Sequence, residues 1–277
     1  SVTEPRRSAG YARSVAGLLL RDARVLVREL VPFVTRTIMN PLLSVFVFAY
    51  VFPKIGQGMR GGGTGGASAG GASFATILVP GLIAVAMVFQ AITAVALPLS
   101  VELGATHEIE DRVLAPIPNW LVALEKLVFG ALQGVIAGLA VFPLVYLVPA
   151  TPVDVHVQSW PLLLLVVALA SLASGALGLA LGTLVRPQQI GLLFALVVVP
   201  MTFLGCVYYP WAALGPIPWL KGLVLINPLV YMSEGLRAAL TPGLPHMPAA
   251  MFLSALVLAV GALSAIGIRG FHRRTIG

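Results

Sequence analysis

Long apolar runs separated by short polar stretches set the pattern of this chain. Residues 74–100 and 120–148 are each long enough to cross a bilayer, since a spanning helix takes roughly 20 apolar residues. Similar runs cover residues 33–52, 160–185, 190–207 and 249–268, which predicts six transmembrane helices in an all-α membrane protein. Between the second and third spans lies a wet knuckle, residues 101–119, reading VELGATHEIEDRVLAPIPN. It holds Glu102, Glu108, Glu110 and Asp111, four of the ten acidic residues in the chain, with Arg112 beside them. Such a segment cannot lie in lipid and must project into water.

The stretches around these spans have their own patterns. Across residues 13–31, Val15, Leu19, Ala23, Leu26 and Leu30 share one helical face, and Arg13, Arg21, Arg24 and Arg28 share the opposite one. A basic amphipathic helix of this kind is expected in the membrane interface, with its arginines toward anionic headgroups; the alternative is that it begins the first span. Residues 1–32 then form a cytosolic tail with this helix, and residues 33–277 form the membrane domain. Asn40-Pro41 should kink the first span or mark its ragged end. The glycine-rich stretch 54–73 cannot bury an apolar face and reads as a flexible loop outside the membrane. Residues 208–248 are broken by seven prolines and read as two short helices dipping into the membrane or lying on its surface. The Gly, Ala and Ser of SLASGALGLALG in the fourth span suit close helix packing in lipid.

Composition supports the membrane class. Hydrophobic residues make up 58% and charged residues only 10% of the 277, which excludes an ordinary soluble domain. The formal net charge of +7 could suggest nucleic acid, but its placement explains it better. Six spans put both termini on one side. Assigned to the cytosol, that side holds thirteen of the 17 Lys and Arg, leaving Lys54, Arg60, Lys221 and Arg237 on the far side. This asymmetry satisfies the positive-inside rule and makes the acidic knuckle cytosolic. The knuckle is then either a docking helix for a soluble partner, ended by Ala115-Pro116, or a solvated turn that keeps the loop out of the bilayer. The Arg-rich N-terminal stretch does not read as a cleavable signal peptide.

Candidate chemistry is sparse. One cysteine, Cys206, allows no internal disulfide framework and no multi-cysteine metal site. His107, His156, His246 and His272 are scattered without metal-ligand spacing, so no metal site is expected. Ser174 has no histidine in a nearby span to act as a base, which argues against an intramembrane hydrolase. Lys54, Lys126 and Lys221 are followed by Ile, Leu and Gly, so no Gly-Lys-Ser/Thr phosphate-binding loop is present. Glu125 and Lys126 sit near the start of the third span, where both could reach water by snorkelling. No ionisable residue is unmistakably at mid-membrane, which disfavours an ion-coupled carrier. Uncharged polar side chains in spans usually bond between helices. Gln90 and Gln133 are the exceptions considered for a substrate path, with Phe89, Phe194, Met201 and Phe203 as apolar lining; packing is the alternative role for each.

Three stretches together resemble one family. They are RTIMNPLLSVFVFAYVF (36–52), EIEDRVLAPIPNWLVALEKLVFGALQGVIAG (108–138), and PMTFLGCVYYPWAALGPIPWLKGLVLINPLVYMSEGLRAAL (200–240). Their order within six spans is similar to that of the type 2 ABC exporter permeases, a family of drug, lipo-oligosaccharide and polysaccharide exporters. The last stretch carries an aromatic-Pro pair, then Asn227-Pro228-Leu229 and a Glu-x-x-Arg-like helix, Glu234 to Arg237. The glycine-rich loop 54–73 and the Ala-Thr-His within the knuckle depart from the family pattern.

The resemblance implies a permease subunit that is not itself catalytic. It would work as a dimer, most simply a homodimer, on two copies of a separate nucleotide-binding subunit that binds ATP and Mg; no cofactor is expected in this chain. Glu102, Glu108, Glu110, Asp111, Arg112, Leu114 and Pro116 would belong to the ATPase-coupling helix. Tyr208, Tyr209, Pro210, Asn227, Pro228, Glu234 and Arg237 would belong to an external gate built from the broken helices between spans five and six. The expected substrate is amphipathic, a drug or antibiotic or a lipid or glycolipid, exported across a bacterial cytoplasmic membrane. An ATP-independent secondary transporter or channel is the alternative, and a non-transporting scaffold a third class.

Overall fold

The computed structural model describes residues 39, 42–43, 46–51, 74–103, 119–147 and 153–276. The expected amphipathic helix 13–31, the glycine-rich loop 54–73 and residues 104–118, with Glu108, Glu110, Asp111, Arg112, Leu114 and Pro116, lie outside them. So does most of the expected first span, of which a helical turn, Phe46–Val51, is described.

Every described element is helical. Helix α1 spans 74–101, α2 Asn119–Leu147 and α3 Trp160–Leu184. A tight turn, Pro187–Gln189, leads into α4 (190–203). Then come α5, Pro218–Leu223, prolonged by a tighter turn Val224–Ile226, α6, Pro228–Leu240, and α7, Ala249–Ile276.

Four of these, Ala75–Val101, Trp120–Leu147, Trp160–Leu184 and Ala249–Arg274, are long and apolar enough to cross a membrane. The bent pair Pro218–Ile226 and Pro228–Leu240, meeting at 100°, makes a fifth if counted as one span. Among the described residues, then, four or five spans stand where six are expected for the whole chain. The clearest difference is α4. Expected to run over 190–207, it ends at Phe203. At about 1.5 Å per residue it is roughly 21 Å long, short of the roughly 30 Å hydrocarbon core.

The turn Phe46–Val51 is itself of π geometry, and α1 and α4 each widen to it just before a proline. In α1 the π turn is Ile92–Ala96 and the proline is Pro98; in α4 they are Phe194–Val198 and Pro200. A helical proline has no N–H and its ring clashes with the carbonyl four residues back. Those carbonyls belong to Ala94 and Leu196, each inside its π turn. The wider turn gives the ring room without ending the helix.

Helix α3 is the hub, packing against α1, α2, α6 and α7. It starts on Ser159, whose hydroxyl accepts from the Leu162 N–H at 3.5 Å, with proline in the first turn. Its small residues bring backbones together, as expected for this stretch. A Cβ added at Gly175 would lie 2.3 Å from the Leu127 carbonyl oxygen of α2, and one at Gly178 would lie 2.7 Å from that of Ala91 in α1. Lipid offers no hydrophobic drive for helices to associate, so this close fit supplies van der Waals contact instead. Helix α7 is peripheral: 17% of its spanning window is buried, against 72% for α1.

Candidate functional site

The least apolar helix is also the most deeply enclosed. Eleven of the 13 residues of α6 are buried, among them Ser233, Glu234 and Arg237. It is wedged among α1, α3 and α7. Asn227 starts it, accepting the Leu229 N–H on Oδ1 at 3.0 Å, and Pro228 fills the first helical position. The same side chain turns its Nδ2 to the Met201 carbonyl of α4 at 2.7 Å. One asparagine thus caps α6 and satisfies a carbonyl in the last turn of α4, which has no partner within its own helix.

Beyond Phe203 the chain turns sharply. Cys206 takes φ of 53°, in the left-handed region that stops a helix. Gly205 has no room for a side chain, since a Cβ there would come within 2.5 Å of Leu229 Cδ2. Its carbonyl accepts from Ser233 Oγ at 2.7 Å. Non-helical backbone near membrane depth is tolerated only where protein covers it, and α6 supplies the cover and the donors.

Glu234 and Arg237 form the centre of the site. One helical turn apart, they make an ion pair with both side chains 0% exposed. Glu234 Oε1 accepts from the guanidinium and from the Trp211 N–H at 2.8 Å; Oε2 accepts from the Met247 N–H at 2.8 Å. Arg237 Nη2 donates to the Cys206 carbonyl at 2.9 Å. Arg237 Nε is buried without a hydrogen-bond partner among the described residues, so the cluster carries one unmet donor. The pair joins α6 to the turn 204–211 on one side and to segment 241–248 on the other. Around it, Trp211 donates its indole N–H to the Lys221 carbonyl at 3.2 Å, and the Lys221 ammonium sits 4.1 Å over the indole. Burial raises the phenols of Tyr208 and Tyr209 above the ordinary tyrosine range, for Tyr209 with a smaller push from Cys206. Tyr209 uses its hydroxyl on the Phe203 carbonyl at 3.2 Å.

The far end of α6 is closed by backbone donors. The His156 N–H bonds the Leu240 carbonyl at 3.0 Å, and that of Gln158 bonds Ala239 at 3.1 Å. Segment 153–159 is itself held to α1 by the Asp154 N–H on Thr76 Oγ1, at 3.1 Å. The last carbonyls of α6, which its own helix cannot satisfy, are therefore met from a different part of the chain.

Of the residues singled out from sequence, the structure gathers Tyr208, Tyr209, Pro210, Asn227, Pro228, Glu234 and Arg237 into this one region. Arg237 differs from expectation in its setting: counted with the watery far side, it is fully buried, because Glu234 and the Cys206 carbonyl replace its water. Glu125 and Lys126, expected to reach water, are also buried, at 2% and 9% exposure; α2 turns them into the bundle. Gln90 and Gln133 lie together, buried, with Nε2 of Gln90 donating to Oε1 of Gln133 at 3.3 Å between α1 and α2. Phe89 is partly buried on α1. Met201 and Phe203 lie on α4, the latter largely exposed, and Phe194 falls within the same helix. Glu102 is partly buried just past α1, with Oε2 unpartnered among the described residues. Sequence reading missed Trp211, Met247, Ser233 and the Gly205–Cys206 carbonyls. The one available signal was an i, i+3 Glu–Arg pair in an otherwise apolar helix.

Long apolar helices packed through small residues, with their polar groups turned inward onto one another, define a polytopic membrane protein. Residues 15–241 match the family described as ABC-2 type transporter, and the chain belongs to that family. It is a component of a membrane transporter. Over 206 residues it is 29% identical to the inner membrane transport permease YadH of Escherichia coli K12, covering 73% of this chain and 74% of that protein. The same figures hold for YadH of Escherichia coli O157:H7 and of Shigella flexneri. No solved structure matches it.

Proposed function

We propose that the chain is the permease subunit of an ATP-driven exporter. It moves an amphipathic substrate, a drug or antibiotic or a lipid or glycolipid, out across the cytoplasmic membrane. Two copies of the chain pair with two copies of a separate ATP-binding subunit, which holds ATP and Mg. The observation that carries this reading is the match to the ABC-2 type transporter family over residues 15–241, in a stretch of 277 residues with no Gly-Lys-Ser/Thr loop. ATP that drives such a transporter is then bound by other residues than these. The relatives named inner membrane transport permease support the location, and the excess of Lys and Arg on one side supports cytosolic termini.

In this mechanism, closure of the ATPase subunits pushes on the coupling segment, with Glu102, Glu108, Glu110, Asp111, Arg112, Leu114 and Pro116. The permease domain, 33–277, answers by opening a path outward between α1 and α4, beside Phe89, Met201 and Phe203. The region of Tyr208, Asn227, Glu234 and Arg237 acts as the external gate. Each state must differ in affinity for the substrate if ATP is to drive net movement.

The test is reconstitution with candidate ATP-binding subunits in lipid, measuring complex formation, ATPase activity and export. Changing Glu108, Glu110 and Asp111 to Ala should lower assembly or coupled activity. One observation favours a second reading. The buried Glu125, Lys126, Glu234 and Arg237 are the kind of intramembrane ionisable groups an ion-coupled carrier uses. Transport down an ion gradient by the chain alone, with no ATPase subunit bound, would replace the first reading with the second.

A further inference from the structure

We propose that Glu234 is a two-oxygen latch, binding turn 204–211 and segment 241–248 to α6 so that all three move as one unit, separately from α4. Each carboxylate oxygen accepts a backbone N–H from a different piece of chain: Trp211 on Oε1 and Met247 on Oε2, both at 2.8 Å. Both donors lie outside the long helices, Trp211 at the start of a short turn after Pro210 and Met247 just before Pro248. A carboxylate offers acceptors on both of its oxygens. A glutamine of the same shape has one acceptor oxygen and one NH2 donor, so one of the two N–H groups must lose its partner. Arg237 fixes the latch, holding Oε1 and the Cys206 carbonyl together, and Ser233 adds the Gly205 carbonyl.

On its other side this unit is tied to the last turn of α4 by two side-chain hydrogen bonds, from Asn227 Nδ2 to the Met201 carbonyl and from the Tyr209 hydroxyl to the Phe203 carbonyl. Meanwhile Leu192, Leu196, Val197, Val199 and Phe203 of α4 stay exposed. The joint between the moving parts therefore falls at Phe203 and Leu204, where the helix ends. The latch depends neither on the solute moved nor on ATP, so its test is separate from that of the exporter reading.

Amide hydrogen exchange on the full chain in lipid nanodiscs reads the latch directly. In the unaltered protein, Trp211 and Met247 should show protection within about tenfold of each other, since one opening frees both. In Glu234→Gln, at least one of the two should exchange roughly tenfold faster or more, while Ala176 in α3 stays unchanged. The double variant Glu234→Gln, Arg237→Gln removes both charges but restores no second acceptor, so the same amide should stay fast. It also serves if the single variant, with Arg237 left unpaired, does not fold. The proposal is overturned if the two amides differ by more than about tenfold in the unaltered protein or if Glu234→Gln leaves both unchanged. It is equally overturned if Ala176 loosens equally, or if the double variant recovers protection, since ion-pair neutrality alone would then be the requirement.

Discussion

Helices α4 and α6 are close in length and near each other in the chain, yet they are held in opposite ways. Helix α4 is almost wholly apolar and leaves Leu192, Leu196, Val199 and Phe203 exposed. Helix α6 carries a serine, a glutamate and an arginine, and buries all three. In water the apolar helix would be the one inside. In a bilayer, lipid solvates leucine as well as a protein core does, so apolar content drives nothing inward. Charged and hydrogen-bonding groups are what lipid rejects, and they are gathered where protein can answer them. Between these two helices, burial follows the location of the donors and acceptors.

The sharpest way to break the comparison is to take one charge away from α6. Arg237→Ala leaves Glu234 buried without its counter-ion and should cost about 3–5 kcal/mol. Thermal unfolding in detergent, with yield in the membrane, should show a large loss; a near-normal melting temperature would mean that water reaches the pair. Next comes the hub. Gly175→Val should drive α3 off the Leu127 carbonyl and cost about 1–3 kcal/mol, read by the same melt. Asn227→Ala removes both the cap of α6 and its tie to α4, for about 1–2 kcal/mol. Its more telling signature is faster amide exchange in 201–205 with α3 unchanged. Smallest of all, Leu196→Ala on the exposed face of α4 should change stability by no more than about 0.5 kcal/mol. A loss above about 2 kcal/mol would show that this face packs against protein and not lipid.

The long helices were legible because hydropathy reads length well. Residues 74–100, 120–148 and 160–185 were expected as spans, and α1, α2 and α3 end within a residue or two of those limits. Helix α7 starts where expected at Ala249 but continues to Ile276, carried on by residues whose charge tells nothing against helix outside the membrane. Legibility fails where a partner distant in sequence decides. The early end of α4 depends on a left-handed Cys206 and on Leu229 denying Gly205 a side chain, which no local pattern announces. Arg237 reads as a far-side charge until Glu234, Cys206, Trp211 and Met247 are seen around it. Asn227-Pro228 was readable as a helix start, whereas its second bond, to Met201, was not. The π turns before Pro98 and Pro200 follow from ring sterics, but whether a helix widens, kinks or ends at a proline is settled by what it packs against.

The lone cysteine has a practical consequence. Cys206 is fully enclosed, with its carbonyl held by Arg237 and its thiol out of contact with solvent. A maleimide or spin label added to the folded protein should pass it by. These 277 residues are thus already a silent background for site-directed labelling. A cysteine placed on Leu196 or Trp219, both exposed, would report alone, and distances between such labels could follow α4 and α5 without first altering the region that surrounds Arg237.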